Sequence, residues 1–70
     1  MEKIWYAVQT GNNYEWDNGS FDLDEAKALA EKECENNEIA GDEVRIVVID
    51  QSGNEPMATN EIIIREGNRI

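Results

Sequence analysis

The chain contains no histidine and a single cysteine, Cys34. Without histidine, the commonest general base and proton shuttle is missing. One cysteine and no histidine also fall short of the ligand set that a zinc site needs. A lone thiol excludes an internal disulfide, which sets aside the disulfide-stapled secreted class and makes a reducing cytoplasm the expected compartment. Bases are scarce: six lysines and arginines face sixteen acids, for a net charge of −10. Affinity for phosphate comes mainly from clustered Lys and Arg, so direct binding to nucleic acid or to an anionic membrane is not expected. Long apolar runs are absent as well. The N-terminal "MEKIWYAVQT" carries Lys3 but also Glu2, and Gln9 and Thr10 break it, so it reads neither as a signal peptide nor as a membrane span. The five glycines are isolated and form no phosphate-cradling motif.

These gaps leave few routes to catalysis. Cys34 lies between Glu33 and Glu35 on an apolar stripe, with no activating base nearby in sequence, and reads as a small core residue. Paired carboxylates could serve glycoside hydrolysis, but only across a substrate cleft that a domain of this size rarely builds. "DQSGNEPMATNE", Asp50 to Glu61, places Asp50, Ser52, Asn54 and Glu61 at positions 1, 3, 5 and 12 of a calcium loop. Position 6, where glycine makes the sharp turn, is Glu55; position 7 is Pro56, and the flanks read as strands. Asp17, Asp22 and Asp24 lack ligand spacing altogether. Asn18-Gly19-Ser20 fits a glycosylation acceptor, which has no consequence without secretion. The expectation is a protein that is not an enzyme and carries no metal or cofactor.

What is present is well patterned. Seventy residues make one small domain, spanning 1–70, with a thin core. "KIWYAVQT" alternates, with Ile4, Tyr6 and Val8 on one side and Trp5 and Ala7 on the other. "GNN" at 11–13 is a turn, and "YEW" at 14–16 reads as a short return strand. "DNG" at 17–19 is a second break, either a turn or a bulge in a strand running on to Phe21. Asp22 is placed to cap a helix, Glu25 completes a capping box, and Phe21 with Ala26 suit a hydrophobic staple. Leu23, Ala26, Leu29, Ala30 and Cys34 then form a narrow stripe of small residues, suited to close packing on a sheet. "NN" at 36–37 and Gly41 end the helix. "EVRIVVID" at 43–50 is a strong strand, "QSGNEP" a hairpin loop, and "MATNEIIIRE" at 57–66 the last strand. The expected fold is α+β: one helix on one face of a mainly antiparallel sheet of three or four strands, ordered ββαββ, or βαββ if the return strand is too short.

Two features point to a partner. The first is the helix's distal half. Asp24 and Glu25 complement the positive helix N-terminus, but Glu31, Glu33, Glu35 and Glu38 crowd the negative end, and Glu31 with Glu35 is a like-charge pair one turn apart. Glu31, Glu35 and Glu38, with Asp42 just beyond, form a ridge that either keeps the domain soluble or meets a basic protein, at the extreme by imitating a phosphate backbone. The second is the sheet face opposite the helix. Trp5, Val47, Ile49 and Ile63 share its parity, whereas a solvated face is normally polar. They are expected either to form an interface, with a partner or a second copy, or to be covered by loops and Trp16. Trp16, beside Tyr14, is itself a candidate anchor. The functional expectation is a non-catalytic protein-interaction or regulatory module; the alternative is a homodimeric structural domain with no separate ligand.

Overall fold

The structure, a computed structural model, describes residues 3–36 and 41–67. It is an α+β fold of order ββαββ: β1 (Ile4–Thr10), β2 (Gly19–Ser20), α1 (Leu23–Cys34), β3 (Val44–Asp50) and β4 (Met57–Arg65). The four strands form one antiparallel sheet in the order β2-β1-β3-β4. β3 is the strand richest in branched side chains, and it takes a central place where both of its faces are covered. Val44, Ile46 and Ile49 are fully buried there. Among the described residues no helix is long and apolar enough to cross a membrane.

Register decides the two faces. Tyr6 opposes Val48, and Val8 opposes Ile46, on the side of α1. Ala26 and Ala30 of the helix are wholly buried against Val8, Val44 and Ile46, with Leu23, Leu29, Cys34, Ile62 and Ile64 packed around them. Alanine at these two helix positions lets the backbone lie close to the sheet. The sheet then supplies the large side chains, each stabilising by roughly 1.5–3 kcal/mol when fully buried.

The first return strand is not where its sequence pattern suggests. Tyr14–Trp16 lie outside the sheet, and the two-residue β2 pairs instead with Tyr6 and Ala7. The Val8 amide donates to Asn18 O at 2.7 Å and extends that contact. Gly19 is the reason that pairing forms here: a Cβ at this position would overlap the Tyr6 carbonyl oxygen. Gly11 opens the preceding turn with φ 53°, and its amide donates to Glu43 O at 2.8 Å. That bond ties the end of β1 to the start of β3.

The helix start follows the sequence signal with one change. Asp22 is extended and its Oδ1 accepts from the Asp24 amide at 3.0 Å. The reciprocal arm of the capping box runs through Ser20: the Asp22 amide donates to Ser20 Oγ at 3.0 Å, and that hydroxyl donates to Glu25 Oε2 at 2.8 Å. The Phe21 ring, at the position before the cap, meets Trp5 edge-on. At the other end Arg65 reaches from β4 and donates to Cys34 O at 3.0 Å. It also donates twice to Asp42 O, at 3.1 and 2.9 Å. A cation thus sits at the negative helix end, offsetting part of the unfavourable charge of Glu31 and Glu35.

Gly19→Ala tests the fit of β2. The Cβ must push Gly19 and Tyr6 apart across a two-residue pairing, so stability is expected to fall by roughly 1–3 kcal/mol in urea unfolding. A variant as stable as the parent would show that β2 does not fix the position of the helix start.

Candidate functional site

The sheet face opposite α1 is covered by the chain itself over β1 and β3, and open along β4. On it Trp5 opposes Ile49, Ala7 opposes Val47 and Gln9 opposes Arg45, and β4 adds Ala58, Glu61 and Ile63 to the same rows. Residues 11–18 cross this face as a strap, and three side chains from the face hold its main-chain carbonyls. Trp5 Nε1 donates to Trp16 O at 2.7 Å, Gln9 Nε2 to Glu15 O at 3.2 Å, and Arg45 Nη2 to Asn13 O at 3.3 Å. A segment whose carbonyls are taken by side chains has no call for a strand partner, which is why Tyr14–Trp16 leave the sheet.

Arg45 is the centre of this arrangement. Only 3% of the residue is exposed. Its guanidinium donates to Gln9 Oε1 at 3.3 Å, pairs with Glu43 Oε1 at 3.2 Å, and lies 4.6 Å from the centroid of the Tyr14 ring. Among the described residues no buried side-chain polar atom lacks a partner, so the charge is carried by a complete set of contacts. A polar cleft of about 250 Å³ opens beside it, between Gly11, Tyr14, Gly41 and Asp42.

The anticipated partner residues therefore divide. Val47 is 8% exposed and Ile49 is fully buried, so of the two fates that parity left open, interface or cover by the chain's own loops, these two positions take the second. Ile63, at the β4 edge, remains 42% exposed, and Trp16, in the strap, 40%. Trp5 is half-buried, and its ring meets Phe21 at 4.8 Å between centroids with an interplanar angle of 76°. Trp5, Trp16 and Phe21 thus converge on one end of the sheet, whereas Ile63 stands across Arg45 at the other. Glu31 and Glu35 are exposed along the helix; Glu35 is its C-cap. Asp42 is exposed and is brought to that helix end by the shared guanidinium of Arg65. Glu38 lies outside the described residues.

Two residues that hold the site together, Arg45 and Arg65, were not among the sequence candidates. Arg45 carried a weak signal, since strand alternation puts it on the same side as Val47 and Ile49. Arg65 carried none, because its acceptor Cys34 O is 31 residues away.

The remaining chemistry is modest. Among the described residues no group of three or more His, Cys, Asp or Glu gathers in the manner of a metal site. Asp50, first residue of the calcium-like loop, turns inward on its own turn: its Oδ1 accepts from the Ser52 amide at 2.8 Å and from Ser52 Oγ at 2.6 Å. Ser52 thereby holds the Asp50 carboxyl below the usual carboxylate range, the hydroxyl acting more strongly than the amide. A carboxyl with a depressed pKa stabilises the fold above its unfolded value, and this contribution is lost as pH falls through the folded one.

Two measurements probe these contacts. Arg45→Met leaves Gln9 Oε1 and Asn13 O without their donor, and a loss of roughly 2–4 kcal/mol is expected, with faster amide exchange across residues 11–18. Arg45→Lys is expected to restore little, because a point charge cannot span acceptors that a planar fork reaches. For Ser52→Ala, the stability difference from the parent is expected at neutral pH and should vanish in acid, below the usual carboxylate range. A difference that persists unchanged there would assign it to the turn backbone and not to Asp50.

Comparison of the chain with protein-family models, with curated proteins and with solved structures found no match in any of the three.

Proposed function

We propose that this protein is a non-catalytic interaction module that binds a protein with a basic surface, through the carboxylates of α1 and the segment that follows it. One observation carries the proposal: of the arginines among the described residues Arg45 is buried and Arg65 half-buried, while most of the acids along the helix and just after it stand exposed. Arg45 is buried under the strap, and Arg65 is directed at the main-chain oxygens of Cys34 and Asp42. Meanwhile Asp24, Glu31, Glu35 and Asp42 are exposed, and the one ion pair among the described residues is Arg45 with Glu43. Lys27 and Lys32 stand exposed on the same helix, and among the described residues neither forms an ion pair with its carboxylates, which face solvent or a partner. A field of one sign speeds association with an oppositely charged surface. In its sharpest form the ridge substitutes for a phosphate backbone and occupies a nucleic-acid-binding protein, which agrees with the lack of basic clusters on the chain itself. Self-association through the second face, the alternative, has Ile63 and part of Trp5 to use but not Val47 or Ile49.

Capture from a cell extract at about 50 mM salt, repeated at 500 mM, tests the proposal. The expected result is a basic partner that is retained at low salt, released at high salt and displaced by added double-stranded DNA. Reversing Glu31, Glu35 and Glu38 to lysine should weaken its capture at least tenfold, while Glu55→Lys and Glu66→Lys should change it little. Equal capture by the reversed variant would remove the helix as the binding surface.

A further inference from the structure

We infer that the cleft where Trp5 and Phe21 meet the start of α1 receives a lysine side chain of the protein partner. This rests on the basic-partner proposal above and assigns it a second, independent contact.

The cleft, about 540 Å³ and open to solvent, is lined by Trp5, Gly19, Ser20, Phe21, Asp22 and Glu25 among others, and no lysine or arginine lines it. Its two rings meet edge to face, 4.8 Å between centroids at 76°, and both residues line the cleft. Phe21 is 42% exposed, too much for a residue whose only task is to fill a core. Trp5 is fixed in place, because its indole N–H donates to Trp16 O at 2.7 Å. Aromatic faces attract an alkylammonium group and its methylene stem together.

The polar wall selects the same ligand. Asp22 uses Oδ1 to cap the helix, and Glu25 uses Oε2 to accept from Ser20. The second oxygen of each carboxylate is not engaged by any described residue, and both carboxylates are held by the cap and by Ser20. An anion drawn to the helix start would meet these two charges and be repelled. A nucleobase could stack on the rings, but its phosphates would find no base here. A cation with an apolar stem satisfies rings and carboxylates at once.

The test is a nitrogen-15 titration of the full chain, at low salt, with the peptide acetyl-Gly-Lys-Gly-amide. Its norleucine counterpart and free choline serve as separate arms. The lysine peptide is expected to shift the Trp5 Nε1–H and Phe21 amide signals saturably, and the norleucine peptide to leave them in place. Phe21→Leu should weaken lysine binding roughly two- to fivefold. The double variant Asp22→Asn with Glu25→Gln keeps a capping side chain and an acceptor for Ser20 while removing both charges. It should abolish the saturable shift with the fold intact. Equal shifts from the norleucine peptide, or unchanged affinity in the double variant, would overturn the assignment. So would binding of choline without the lysine peptide, since the guest would then be a free quaternary amine. If the lysine peptide is silent while capture of a basic protein remains sensitive to Glu31, Glu35 and Glu38, the cleft assignment fails and the acidic-helix proposal stands.

Discussion

A buried guanidinium organises one side of this protein. Arg45 stands in the central strand, on the face that the helix does not cover. Left to water, that face would expose Ala7, Val47 and Ile49; left apolar throughout, it would need a second helix or a second chain. The fold instead folds residues 11–18 over it and satisfies the strap's carbonyls with Arg45, Gln9 and Trp5. A buried charge is costly unless it is paired and hydrogen-bonded, and here the two requirements are met by a side chain, a carboxylate and a main-chain oxygen of the strap itself. The cover and the charge it covers are therefore one device, each supplying hydrogen-bond partners to the other.

The second arginine among the described residues, Arg65, has an electrostatic consequence for the surface. Arg65 reaches across from the last strand to the final turn of the helix and to the segment that leads into β3. There it adds a second cation to Lys32, the one basic residue that the last turn of the helix carries in its own sequence. The local conflict of Glu31 and Glu35 with the helix dipole is thus eased from a distance, and the acids themselves need not be neutralised by neighbours. A chain of net charge −10 then presents most of that charge outward. The exposed aromatic end, where Trp5 and Phe21 meet, lies beside Asp22 and Glu25 and belongs to the same negative surface.

Local signals were legible wherever a residue acts on near neighbours. Asp22 capped the helix as its position implies, and the stripe from Leu23 to Cys34 packed on the sheet. β3 and β4 formed close to the limits that their branched residues set. The misplaced strand has a physical cause. Tyr14–Trp16 has the composition of a strand, yet its carbonyls are claimed by Trp5, Gln9 and Arg45, and a pairing at Gly19–Ser20 wins because Gly19 admits the Tyr6 oxygen. Val47 and Ile49 share the parity that left an interface or a loop cover open, and contacts from Trp5, Gln9 and Arg45 to residues 11–18 decide for the cover. Of the candidate site, the exposed acids Glu31, Glu35 and Asp42 were readable as surface, because a carboxylate run rarely has another fate.

The sequence by itself determined the class of the fold, the helix and its packed stripe, the parity of each strand and the sign of the surface charge. Each follows from residue type and spacing along a few turns or strand positions. Only the tertiary structure decided which sheet face is covered and by what, and where the arginines spend their charge. It also decided that two aromatic rings sixteen residues apart close on one cleft. Those outcomes depend on contacts between distant segments, which periodicity and capping rules cannot encode.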